Sequence, residues 1–121
     1  MERAGFQQGI ALFNHGDFFE AHEVWEDVWR AAPVPEKKFL QGLIQVAVAF
    51  VHYQRGNLVG ARSLLRRGER NLAAYSEHYA GLHVTALLQQ TADWRQTIED
   101  QRVPERFPRV TVTVSGHSPD C

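Results

Sequence analysis

Phe39-Leu40-Gln41-Gly42-Leu43-Ile44-Gln45-Val46-Ala47-Val48-Ala49-Phe50-Val51-His52-Tyr53-Gln54 contains no Asp, Glu, Lys or Arg. A helix that is apolar on nearly every side has to be covered on nearly every side, so this stretch reads as the central helix of a bundle. It does not read as a membrane span: it is shorter than the ~20 apolar residues a bilayer needs, and it carries Gln41, Gln45 and His52. The remaining elements follow outward from it. Pro35 suits the first turn of this helix, and Arg55-Gly56 marks its end. Upstream, Pro33 and Pro35 stop a second helix, from about Asp17 to Ala31, because the residue before a proline is pushed out of the α region. His15-Gly16 closes a first helix over Glu2 to Asn14. Downstream, Asn57 is placed to cap a fourth helix reaching about Glu77. A fifth puts Val84, Leu87, Leu88, Thr91, Trp94 and Ile98 on one stripe.

The expected fold is therefore all-α, a compact bundle of about five helices joined by short turns that make neighbours antiparallel. An internal echo supports paired helices. Gly16-Asp17-Phe18-Phe19-Glu20-Ala21 matches Gly56-Asn57-Leu58-Val59-Gly60-Ala61 in position after one helix and at the start of the next. A turn glycine followed five positions later by alanine lets two antiparallel helices approach closely, as in tetratricopeptide-like repeats, although the usual period there is ~34 residues. Residues 1–102 are expected to form one helical domain, and residues 103–121 an extended or partly disordered tail. Within that tail Val110-Thr111-Val112-Thr113-Val114 alternates with period two. A lone strand finds no partner inside a helical chain, so it is expected to fray or else to pair across a subunit boundary.

Composition bounds the function classes. The 121 residues are 44% hydrophobic and 22% charged, which suits one globular domain rather than a disordered or membrane protein. Thirteen Lys+Arg against 14 Asp+Glu leave a net charge of -1, so no global field draws the chain to nucleic acid or anionic lipid. The single cysteine, Cys121, excludes an intrachain disulfide framework and a Cys-based zinc site. With no signal-peptide pattern in Met1-Glu2-Arg3-Ala4-Gly5, a cytoplasmic location is expected.

Helical spacing then selects candidate site residues. On the second helix His22 falls inside the apolar arc of Phe18, Ala21, Trp25, Val28 and Trp29, with Glu26 at its edge. On the third, Gln41, Gln45 and His52 form one narrow stripe. Amides and a neutral imidazole are sheltered at lower cost than charges when hydrogen-bonded, so a polar seam is expected between helices two and three, built from His22, Glu26, Trp29, Gln41, Gln45 and His52. Such a seam would fix helix register, or edge a pocket for a small ligand or peptide beside Trp25, Trp29 and Tyr53. His22-Glu23-Val24-Trp25-Glu26 also resembles the zincin H-E-x-x-H with a carboxylate as second ligand. His22, Glu26 and His52 are then the metal-ligand alternative, with zinc or another divalent transition metal. Glu23 turns away from His22, which argues against the hydrolytic version. No nucleophile elbow and no phosphate-cradling glycine loop is present.

Charge is uneven along the chain. Asp17 to Arg30 sums to -4 and Arg55 to Arg70 to +4. Two solvated faces that attract each other, within the bundle or between subunits, explain this. An RNA surface through Arg62, Arg66 and Arg70 is the weaker alternative, because no aromatic is interleaved for base stacking.

Three blocks of the chain resemble a known family. Phe13-Asn14-x-Gly16-x-Phe18-Phe19-Glu20-Ala21-His22-Glu23-x-Trp25-Glu26-x-x-Trp29, then Phe39-Leu40-Gln41-Gly42-Leu43-Ile44-Gln45, then His52-x-x-x-Gly56-Asn57-x-x-Gly60-Ala61 are similar to the domain of unknown function 309 family. The resemblance runs from Phe13 to about Leu72 and implies an all-helical bundle of small prokaryotic proteins, also found in plants, with no established activity. The sequence leans towards a binding or interaction module without a cofactor, with self-association expected and neither membrane nor nucleic acid as partner. A metal-dependent hydrolase is the alternative.

Overall fold

The computed structural model describes residues 1–100 together with Val110 and Thr111. Its elements are α1 (Arg3–Asn14), α2 (Phe18–Ala31), α3 (Val34–Gln54), α4 (Leu58–Leu72), β1 (His78–Tyr79), β2 (Leu82–His83) and α5 (Val84–Glu99). The expected helical bundle is the fold, and α3 is its centre: α2 packs on one flank of it and α4 on another, with α1 against α2 and α5 against α4. Leu40, Leu43, Val46, Ala47, Ala49 and Phe50 of α3 are fully buried. Aromatic rings from four helices meet there. Phe13 and Phe18 lie edge to face at 5.0 Å, Phe18 and Phe50 are 5.2 Å apart, and Phe50 meets Trp94 edge-on at 5.0 Å. Each such buried side chain contributes about 1.5–3 kcal/mol of apolar transfer, which is why a chain this short sustains a single core.

Two glycines set the α3–α4 distance. A Cβ on Gly68 would sit 2.9 Å from the Gly42 carbonyl oxygen and 2.8 Å from Val46 Cγ2, so the backbones touch where no side chain intervenes. The internal echo proves to be one turn used twice. After α1, the Asp17 N–H donates to the Leu12 carbonyl (2.9 Å) and the Gly16 N–H to that of Phe13 (3.0 Å). After α3, Asn57 donates to His52 (2.8 Å) and Gly56 to Tyr53 (3.0 Å). Both are Schellman turns with a left-handed glycine, at φ 86° and 82°. The alanines that follow, Ala21 and Ala61, are both fully buried.

Three boundaries differ from the sequence reading. The fourth helix stops at Leu72 rather than near Glu77. The cause is Tyr75, whose hydroxyl accepts from the Phe39 N–H (3.0 Å) and donates to the Pro35 carbonyl (2.8 Å), inserting itself between two groups one helical turn apart on α3. The chain then forms an antiparallel hairpin, its two-residue loop holding Ala80 and Gly81 at φ 52° and 81°, the left-handed pair a type I′ turn requires. Finally, Val110 and Thr111 find partners inside the chain, where fraying or an intersubunit pairing was expected. Val110 is buried, with its N–H and carbonyl both bonded to the Asn14 side-chain amide (2.6 and 3.0 Å), and the Thr111 carbonyl accepts from the His83 N–H at 3.0 Å. Residues 112–114 of the alternating run and the expected domain boundary at 102–103 lie outside the described residues.

Candidate functional site

Along α3 from Phe39 to His52, burial separates one line of residues from the rest. Gln41 is exposed and Ile44, Gln45, Val48 and His52 are half-buried, while Leu40, Gly42, Leu43, Val46, Ala47, Ala49, Phe50 and Val51 are buried. The five recur at helical spacing, so they form the outward stripe of the central helix, and none carries a formal charge. The polar half of this stripe was legible in the sequence. Ile44 and Val48 were missed because only polar positions were collected; a wheel including every residue places them on the same line.

Two of its polar members, Gln45 and His52, are held by α4 and its N-cap residue and not by α2. Gln45 Oε1 accepts from Asn71 Nδ2 at 2.7 Å across the α3–α4 boundary. The Asn57 side chain accepts from the Gly60 N–H (3.0 Å) to cap α4, which leaves its Nδ2 to donate to His52 Nδ1 at 3.1 Å. The neutral His52 ring in that arrangement carries its proton on Nε2. The link between α2 and α3 is instead Lys37, whose ammonium binds the carbonyls of Trp29 and, at 3.3 Å, Arg30 at the end of α2, and lies 4.4 Å from the Trp29 ring centre. This satisfies C-terminal carbonyls that the helix itself cannot, and adds a cation–π contact.

On α2, His22 Nδ1 lies 3.1 Å from the Phe19 carbonyl, to which it donates, and its Nε2 is 3.6 Å from Glu26 Oε2. Glu26 is also 3.7 Å from Arg30. The seam expected between helices two and three is thus divided: Gln45 and His52 belong with Asn71 and Asn57, and His22 and Glu26 pair along their own helix. The metal alternative is corrected with it. Among the described residues no group of three or more His, Cys, Asp or Glu is placed to hold an ion, and the Nδ1 lone pair of His52 is already engaged by Asn57. His22, Glu26 and His52 therefore do not assemble a ligand set.

The two α2 tryptophans separate as well. Trp25 is fully buried, its Nε1–H donating to the Phe6 carbonyl at 3.1 Å against Gly9, so it cannot edge a pocket as expected. Tyr53 packs edge-on against Trp94 at 5.0 Å. Trp29 is only half-buried, yet its Nε1 is covered and has no hydrogen-bond partner among the described residues. An unanswered buried donor costs about 1–3 kcal/mol, and native structures hold few of them.

Two ion pairs join α4 to α5. Arg66 binds Glu99 at 2.9 Å, and Arg95 forks onto Glu69 through Nη2 (3.1 Å) and Nε (3.2 Å). The hydrogen bond that Arg66 donates holds the Glu99 carboxyl below its ordinary value, and the one that Arg95 donates to Glu69 keeps the Arg95 guanidinium above its own. Among the described residues the acidic groups of α2 make their ion pairs within α2, so the two opposite charge runs do not meet inside the molecule.

No helix among the described residues is long and apolar enough to cross a membrane. The family profile described as "Domain of unknown function (DUF309)" matches residues 6–64, which span α1 to the first half of α4 and include the whole α3 stripe. The uncharacterized protein YpuF of Bacillus subtilis (strain 168) is 42% identical over 65 residues, covering 53% of this chain and 36% of that protein. An uncharacterized protein of Aquifex aeolicus (strain VF5) is 30% identical over 73 residues, 60% of this chain and 22% of the other. The chain thus spans well under half the length of either relative.

Proposed function

Since residues 6–64 belong to the domain of unknown function 309 family, whose description attaches no activity, we propose from the surface itself that this is a helical binding module that docks a segment of another protein. Its docking face is the outward side of α3, whose first turn reaches Trp29 of α2 through Lys37. The observation that carries this reading is the uncharged stripe of Gln41, Ile44, Gln45, Val48 and His52 on a helix whose other residues from Phe39 to Val51 are buried. Interface centres are depleted of charge because stripping water from ions is costly, whereas amides and half-buried aliphatic groups desolvate cheaply. Trp29 adds an aromatic anchor of the kind that dominates binding energy, and its unanswered N–H is a donor that a partner's carbonyl can satisfy once the side chains covering it rearrange.

Two further facts support a module. The matched segment makes up 36% of one relative and 22% of the other, so the same unit recurs inside longer chains. The Schellman turn is used twice, each time joining two consecutive helices; we read these pairs as tetratricopeptide-like, a design in which one face of stacked pairs is left for a partner. A photo-crosslinking residue at Gln41, with Ser63 on α4 as the control position, tests the proposal in living cells. A discrete adduct from Gln41 and none from Ser63 is expected; no adduct, or equal yields from both, overturns it. An adduct of twice the chain's mass would identify a second copy as the partner.

A further inference from the structure

We propose that His78 and His83, facing each other across the β1–β2 hairpin, form a bidentate site for a divalent transition-metal ion of the copper, nickel and zinc class. The strand register makes them direct partners, and the surrounding hydrogen bonds say which kind of pair they are. The Val84 N–H donates to the Glu77 carbonyl at 2.9 Å, while the His83 N–H turns away from β1 to the Thr111 carbonyl at 3.0 Å. His78 and His83 therefore occupy a non-hydrogen-bonded position of the ladder, where opposed side chains approach most closely. Their ring centres are 4.4 Å apart with planes at 68°. That separation fits two imidazole nitrogens bound cis to one ion at ~2.0–2.1 Å each.

Availability of the nitrogens distinguishes this pair from His22 on α2 and His52 on α3. His22 and His52 each commit a ring nitrogen to the protein, to the Phe19 carbonyl and to Asn57. Among the described residues no hydrogen bond engages the ring nitrogens of His78 or His83. The scaffold is also fixed in advance, by the left-handed Ala80-Gly81 turn and the Thr111 anchor, so little ordering is left for the ion to impose. No described third side chain joins the pair, and water completes the coordination. Imidazole ligands without thiolates suit the later first-row divalent ions, with Cu²⁺ bound most tightly. Because a ligating imidazole must be neutral, protons compete with the ion for this site.

The site lies outside residues 6–64 and does not depend on the docking face. Its test is titration of the full chain with copper(II) above the ordinary histidine pKa, followed by calorimetry and by electron paramagnetic resonance. One Cu²⁺ per chain with coupling to two nitrogens is expected. His78→Asn and His83→Asn should each weaken binding at least ~10-fold, since either removes the chelate, while His15→Asn leaves it unchanged. His78 is exposed, so His78→Asn decides the matter even where His83→Asn disturbs the hairpin, with helicity measured by circular dichroism in each variant. Unchanged affinity in His78→Asn, loss of binding in His15→Asn, or bound copper without two-nitrogen coupling would overturn the assignment.

Discussion

Trp25 and Trp29 stand four residues apart on α2 and meet opposite fates. Trp25 fills the space that Gly9 leaves open and spends its N–H on the Phe6 carbonyl, whereas the Trp29 N–H is covered and unanswered. Trp25→Phe should therefore cost about 1–3 kcal/mol, from a lost hydrogen bond and a partly emptied site. Trp29→Phe removes a donor that bonds to nothing and should leave stability within about 1 kcal/mol of the parent or raise it. Urea unfolding of both variants checks this, and a Trp29→Phe loss as large as that of Trp25→Phe would mean the indole N–H is satisfied. The contrast shows what sequence can deliver at this scale. Spacing placed both tryptophans on the apolar arc, but partners are a three-dimensional property: nothing in the sequence near Trp25 names the Phe6 carbonyl, and nothing near Trp29 names Lys37.

At the scale of elements, glycines divide into those that turn the chain and those that let helices touch. Gly16 and Gly56 have positive φ and open space where a Cβ would go, so alanine at either should cost about 1 kcal/mol, and nearly the same at both. Gly68→Ala gains helix propensity of about 1 kcal/mol. It nevertheless forces α4 off the Gly42 carbonyl and should cost more than either turn variant. Thermal unfolding of the three proteins ranks them; a neutral Gly68→Ala would contradict the close approach. The two turns were legible because a glycine after an apolar periodic run has few other readings. The end of α4 was not, because it is decided by a tyrosine hydroxyl bonding to a helix over thirty residues earlier in sequence. The hairpin was missed because its loop is Ala-Gly, where the recognisable type I′ signal is Asn-Gly. Of the candidate site, the polar half of the stripe, Gln41, Gln45 and His52, was visible from helical spacing, while Ile44 and Val48 were passed over. Its assignment to the α2–α3 boundary went astray because Gln45 and His52 find their partners on α4 and at its cap, choices that a wheel drawn for one helix does not contain.

At the scale of the whole molecule, the near-zero net charge conceals an α4–α5 boundary laced with Arg66–Glu99 and Arg95–Glu69 pairs. Glu99 has a folded pKa below its ordinary 4.5, first through the hydrogen bond from Arg66, so between the two values the unfolded chain binds more protons than the folded one. The stability this supplies is complete above about pH 4.5 and is lost as pH falls through the lower, folded value. Arg66→Gln should flatten that part of the acid limb, and an acid limb identical to the parent's would show that the pair is fully screened.

The face that this core leaves outward is where docking is proposed. If the α3 stripe is a docking surface rather than core, Val48→Lys will spare the fold and abolish docking. The direct measurement is the crosslink yield from Gln41 in the parent and in the Val48→Lys background, with unfolding free energy recorded alongside. The account predicts an adduct in the parent, its loss in Val48→Lys, and a stability change within about 1 kcal/mol. An adduct that survives Val48→Lys, or a variant that no longer folds, would contradict it.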